Sequence, residues 1–340
     1  MGRDERQLGY RMELENFFRQ RLVEGRDRLS RELWTRDHSS PEAYRASVEG
    51  RREAWRNLLS PPLVEAVGEP EVRASLVPGA KWITVRLEDG LTAQGALVVP
   101  EGATRLVVFV HGLGSSPERV FGVGDEANTY DRVGCQLVEA GYAVLAPMNL
   151  IDIAPRNRAQ SLCRLAGTTM EGLEFTRYQH LLDAVAQVAP ALDLENHALA
   201  GMSWGGLATQ YWSPLEDRVA VAASLGFFNH RPNKMVVQDT RYGTFYDSGE
   251  EHAFLHGLLL GFSDADLASL LCPRPFMVQH GRADMIGWWP QVVEEFERAR
   301  QHWRRLGVAD RVHLDLHDDG HVVHAGPLVD WLATTHPPHP

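Results

Sequence analysis

The sequence predicts an α/β fold: a mostly parallel central sheet with helices on both faces, an N-terminal helical extension and a lid-like insertion. Three observations carry that prediction. Short, fully apolar runs such as Leu106-Val107-Val108-Phe109-Val110 alternate with helix-length segments, the pattern of strands buried on both faces. Glycine-rich turns follow several of these runs, among them His111-Gly112-Leu113-Gly114 and Gly201-Met202-Ser203-Trp204-Gly205-Gly206. Residues 1–60 read instead as helices rich in both charge signs.

In chain order, Phe17, Phe18, Leu22 and Leu29 recur at near-helical spacing, and Trp34 ends that stretch. A second helix starts at Ser39-Ser40-Pro41-Glu42, a serine cap with proline in the first turn and a glutamate placed for a capping box. It runs through Tyr44, Val48, Trp55 and Leu58 and stops at Pro61-Pro62. Residues 1–75 are thus a helical extension, expected to pack on the main domain or to serve a homo-oligomer interface. The main domain spans 76–335. Its opening strands, 82–87 and 91–99, are joined by Glu88-Asp89-Gly90, a hairpin signal. Further strands are expected at 106–110, 142–146, 197–200, 219–223, 276–279 and 312–316. Helices are expected at 128–140, 171–188, 207–212, 291–303 and 327–334. The stretch 228–271 interrupts the alternation and reads as a lid or pocket wall. The tail 336–340 is expected to be unstructured.

Composition narrows the function. With 340 residues, 44% hydrophobic and 23% charged, the chain is of ordinary globular composition. Its net charge of −11, without a concentrated basic tract, argues against nucleic acid or an anionic membrane surface as partner. The charged start Met1-Gly2-Arg3-Asp4-Glu5-Arg6 lacks the apolar core of a signal peptide, and no apolar run approaches a membrane span. Cys135, Cys163 and Cys272 lie far apart with no C-x-x-C spacing. A cytoplasmic protein with reduced thiols is the expected setting.

A serine between glycines on a strand-to-helix turn is a nucleophile elbow, a pattern that chance also produces. Its neighbours decide its meaning. Acyl transfer needs a base, an acid that orients the base, and donors for the oxyanion, each at the carboxyl end of a strand. Gln279-His280-Gly281-Arg282-Ala283-Asp284 places Asp284 just past one strand, and Asp318-Asp319-Gly320-His321 places His321 past the last. Phe227-Phe228-Asn229-His230 offers no competing carboxylate. The backbone N–H groups of Leu113 and Trp204 are the expected oxyanion donors. Phe227, Phe228, His230, Trp288 and Trp289 either line a substrate pocket or pack in the core. His317-Asp318-Asp319-Gly320-His321-Val322-Val323-His324 has the look of a metal cluster. On a loop, however, its i, i+4 spacing carries no helical meaning, and no H-E-x-x-H motif is present.

Together, His111-Gly112-Leu113-Gly114, Gly201-Met202-Ser203-Trp204-Gly205, His280-Gly281-Arg282-Ala283-Asp284 and Gly320-His321 resemble the α/β-hydrolase superfamily over residues 80–335. Leu271-Cys272-Pro273-Arg274-Pro275 and Gly167-Thr168-Thr169-Met170-Glu171-Gly172 resemble its dienelactone-hydrolase-like and acetyl xylan esterase-like branch. Bulky Trp204 departs from the smaller residue common beside the nucleophile there. The resemblance implies a serine esterase using Ser203, Asp284 and His321 on a small-molecule ester, with no metal or organic cofactor. A small amidase with the same triad is the alternative, and a retained fold without catalysis is a third reading.

Overall fold

Alternation along the apolar runs decides the layers. A computed structural model describes residues 2–246 and 248–338. In strand β4 below, Leu106, Val108 and Val110 enter one core, while Val107 and Phe109 enter the other. Both faces are therefore covered, which is why these strands are apolar throughout.

The strands, in chain order, are β1 Glu71–Ala74, β2 Lys81–Arg86, β3 Thr92–Val98, β4 Arg105–Val110 and β5 Ala143–Pro147, then β6 Asp193–Met202, β7 Val219–Leu225, β8 Phe276–Gly281 and β9 Val312–His317. They form one sheet in the order β1-β2-β3-β5-β4-β6-β7-β8-β9. The first three strands, and the β3–β5 pair, are antiparallel. From β5 to β9 every pair is parallel. The chain goes outward from β4 to β5 and returns to β6 on the other side of β4. The carboxyl ends of β4 and β6 thus flank the crevice where α/β sheets place ligands.

The helices are α1 Arg3–Arg19, α2 Arg26–Leu33, α3 Pro41–Leu59, α4 Pro117–Val120, α5 Val133–Glu139, α6 Ile153–Leu165 and α7 Met170–Val188. They continue with α8 Trp204–Trp212, α9 Arg231–Val236, α10 Leu258–Gly261, α11 Asp264–Ser269, α12 Trp289–Arg305 and α13 Ala325–Thr335. α3, α7, α8, α11 and α12 contribute to one core, and α5 and α13 to the other. No single helix among the described residues is long and apolar enough to cross a membrane.

The extension divides in two. α1 buries none of its side chains, and Phe17 and Phe18 are exposed. α3 by contrast docks on the domain through buried Tyr44, Val48, Trp55 and Leu59, and the Trp55 indole donates to Tyr211 O at 2.8 Å. Its cap is Ser40, which accepts from Ala43 N at 3.1 Å, so Glu42 stands one position short of a capping box. The expected helix over 128–140 is α5 alone, because Asn128, Asp131 and Arg132 have positive φ. The expected loose tail is also corrected in part. His336 is buried and stacked on Tyr142, whose hydroxyl donates to His336 O at 2.8 Å. His339 and Pro340 lie outside the described residues.

Several histidines are buried in the neutral state. Burial lowers His111 and His197 to about 4 and His302 to about 2, against 6.5 in the open chain. The unfolded chain binds protons at these sites as pH falls below 6.5, whereas the fold refuses them until the lowered values are reached. Stability is therefore intact above pH 6.5 and declines below it, by about 3 kcal/mol per group for His111 and His197 at pH 4. Glu171, Glu250 and Asp264, which burial raises, act in the opposite sense. Burial lowers His252, His280, His317 and His336 as well, so the histidines prevail in number. The urea midpoint is expected to fall clearly between pH 7 and pH 5, and an unchanged midpoint would contradict this account.

Candidate active site

Three loops converge at the carboxyl edge of the sheet. Ser203 stands between β6 and α8 with φ 57° and ψ −121°, a conformation that is strained for a residue with a Cβ. Its glycines are required by contact. A Cβ on Gly205 would lie 1.9 Å from Val110 O, and one on Gly201 would lie 2.3 Å from Gly205 O. Ser203 N–H donates to Leu225 O at 2.8 Å, tying the elbow to β7.

Asp284 and His321 sit on loops stitched together by backbone hydrogen bonds, Arg282 N to His317 O at 2.7 Å and Ala283 N to Asp319 O at 3.2 Å. Gly281 permits this crossing, since a Cβ there would meet Asp319 O at 2.2 Å. His321 Nδ1 is 2.8 Å from Asp284 Oδ2, and Asp284 Oδ1 accepts from Ile286 N at 2.7 Å. Burial pushes the Asp284 carboxyl up, but the hydrogen bond and charge of His321 outweigh it and hold the group below its ordinary range. The His321 ring lies over Gly226, where a Cβ would be 3.1 Å from its Cε1 and 2.9 Å from Met202 Sδ. That packing sets the imidazole beside the residue preceding Ser203.

The turn after β4 supplies the remaining wall. A Cβ on Gly112 would be 3.0 Å from the Ser203 Cβ, so the turn passes directly against the elbow. Gly112 N–H donates to the Tyr130 hydroxyl at 2.8 Å and Gly114 N–H to Ile151 O at 3.1 Å. Among the described residues, the N–H groups of Leu113 and Trp204 have no protein acceptor. Trp204 begins α8, where an N–H has no partner within its own helix. Its indole is held by Arg156, whose guanidinium carbon is 4.3 Å from the ring centre. Arg156 is in turn fixed by bidentate bonds to Glu174 at 2.7 and 3.1 Å, both residues fully buried.

A cavity of about 180 Å³ adjoins Ser203, lined by Leu113, Trp204 and Phe227 as well as by residues of the 228–271 stretch such as Lys234, Phe245 and His252. Of the five expected pocket residues, Phe227 alone is in this lining. Phe228 is buried against Phe276 and Phe296. His230 caps α9, accepting from Asn233 N at 3.3 Å. Trp288 stacks under the Arg241 guanidinium at 3.7 Å, and Trp289 lies at the surface, 36% exposed. Lys234 lines the cavity from the stretch expected to be a pocket wall, whereas Glu171 and Tyr211 were not expected there. Glu171 and Tyr211 come from α7 and α8, distant in sequence, and nothing local aims either of them at the nucleophile.

No protein-family profile and no curated protein sequence matches the chain. Solved structures do match. A protein assigned provisionally as an acetyl xylan esterase, from Bacteroides fragilis, aligns over 84% of this chain and 78% of its own, with a TM-score of 0.63 and 13% identity. A glucuronoyl esterase from Solibacter usitatus aligns over 88% and 94%, with a TM-score of 0.62 and 13% identity. A carbohydrate esterase family 15 glucuronoyl esterase from Caldicellulosiruptor kristjansonii aligns over 88% and 87%, at 0.58 and 18%. The chain has the α/β-hydrolase fold. In that fold the loops after β6, β8 and β9 meet at one edge, and they carry Ser203, Asp284 and His321 respectively.

The histidine-rich segment at the end of β9 brings His317, Asp319 and His324 within reach of one another. His324 Nε2 is 2.9 Å from Asp319 Oδ2, and the two imidazoles stack face to face at 3.9 Å. Parallel rings direct their in-plane lone pairs side by side, whereas a shared ion needs them convergent.

Proposed function

We propose that the chain is a serine esterase. Ser203 attacks the ester carbonyl while His321 accepts its proton, and Asp284 fixes the imidazole tautomer through Nδ1. The oxyanion is received by the N–H groups of Leu113 and Trp204. His321 then returns the proton to the leaving alcohol, and water repeats the sequence on the acyl-enzyme. The observation that carries this reading is the buried Asp284 bonded at 2.8 Å to His321, whose ring packs beside Met202, the residue preceding the strained Ser203. Buried acid, oriented base and elbow serine on three separate loops serve no packing need that one alone would not. The esterase names of the structural neighbours support the same chemistry.

A fluorophosphonate probe tests it. Labelling is expected at Ser203 alone, with loss of p-nitrophenyl acetate turnover in proportion to the adduct found by peptide mass spectrometry. Full turnover by fully labelled protein, or inhibition without an adduct on Ser203, would overturn the proposal.

A further inference from the structure

The cavity beside Ser203 is lined by three residues that each carry a buried polar atom without a hydrogen-bond partner among the described residues. Glu171, Trp204 and Tyr211 are 2%, 6% and 1% exposed and all line it. Among the described residues, Glu171 Oε2, Trp204 Nε1 and Tyr211 Oη have no hydrogen-bond partner. Each such group costs about 1–3 kcal/mol if left unpaired, so three around one cavity call for a ligand or for water held in its place. Either case leads to the same selectivity. A ligand that displaces such water with alkyl groups loses the bonds, and one that replaces them keeps them.

Of the other polar side chains of the lining, Thr244, Ser248 and Glu250 are partly exposed, and the buried Lys234 and His252 are already engaged. Lys234 Nζ donates to Gly243 O at 2.7 Å and to Ile286 O at 2.5 Å. His252 Nδ1 is 3.1 Å from Asn157 Oδ1. The buried groups left without a partner are thus an indole donor, a phenol and one carboxyl oxygen of Glu171, whose other oxygen lies 3.8 Å from Arg156 Nη2. A hydroxyl both donates and accepts, and so can answer all three. A carboxylate would face Glu171 and Glu250, which both line the cavity. An ammonium group could not accept from the Trp204 indole and would face Lys234. The volume of about 180 Å³ exceeds only slightly the roughly 150 Å³ that holds a benzene ring, so the cavity suits a group of about six heavy atoms.

We infer that this cavity is a specificity site for a short hydroxylated substituent of the ester, with Glu171, Trp204 and Tyr211 reading its hydroxyl groups. The inference rests on Ser203 being the nucleophile. It is independent of which side of the ester enters the cavity.

Isosteric pairs test it. On the acyl side, methyl 3-hydroxybutyrate is compared with methyl isovalerate; on the alcohol side, glyceryl 1-acetate is compared with 2-methylbutyl acetate. In at least one pair the hydroxylated ester is expected to have about tenfold higher kcat/KM, and this ratio should fall towards one in both Tyr211→Phe and Glu171→Gln. Turnover that depends on Ser203 but favours the alkyl ester, or neither ester, in both pairs would overturn the inference while leaving the esterase proposal standing. A preference that survives both variants would overturn the assignment of these residues. Turnover that persists in Ser203→Ala would overturn both proposals together.

Discussion

Ser203→Ala is expected to lower kcat for p-nitrophenyl acetate by about 10⁴- to 10⁶-fold, with KM changed far less. The loss is that large because base and acid have no role without a nucleophile to activate. What remains is the contribution of the Leu113 and Trp204 amides, which do not depend on the serine hydroxyl. The variant is also expected to fold. Alanine meets the same backbone strain at φ 57° as serine does, since the cost comes from the Cβ and not from Oγ. Ser203 is tied into the fold through its own N–H to Leu225 O, a bond alanine keeps. The melting temperature should therefore lie within a few degrees of the parent, and a kcat within tenfold of it would remove Ser203 from the mechanism.

The elements that were legible from the sequence share one physical property: their burial follows a simple period. β4, β5, β7 and β8 are buried on both faces, so their apolar runs declare themselves. That Asp284 and His321 would come together, as they do at 2.8 Å, was legible because a parallel sheet brings the loops after β8 and β9 to one edge. β1 was missed because Glu71-Val72-Arg73-Ala74 is a short edge strand with its side chains mostly exposed. α6 was missed for the opposite reason. It buries Arg156 and Gln160 and exposes Leu162 and Leu165, inverting the usual pattern because its inner face pairs with Glu174 of α7. The pocket was the least legible part. Aromatic neighbours of site residues in sequence, such as Phe228 and Trp288, are turned elsewhere, while Glu171 and Tyr211 reach the cavity from α7 and α8 by tertiary packing alone.

Asp284→Asn is expected to reduce kcat/KM by about 10⁴-fold without removing any atom from the site. The aspartate makes two contacts, and asparagine can make only one of them with the right polarity. Oδ1 accepts from Ile286 N at 2.7 Å, and Oδ2 lies 2.8 Å from His321 Nδ1. An asparagine that keeps its carbonyl oxygen on Ile286 N–H must present its NH₂ to His321. Nδ1 then becomes an acceptor, the ring proton moves to Nε2, and the imidazole no longer offers a lone pair to the serine hydroxyl. The negative charge that would stabilise the imidazolium is lost as well. Some stability is lost above the carboxylate range, because a carboxyl held below its ordinary pKa by the fold contributes there. Asp319→Asn separates these effects from general disturbance of the loop. Asp319 stands two residues before His321, and its carboxylate engages His324 at 2.9 Å, not His321. Its kcat/KM is expected to stay within about threefold of the parent, as for surface substitutions away from special features. Equal losses in the two variants would mean that the loop as a whole, and not the Asp284 carboxylate, positions the base.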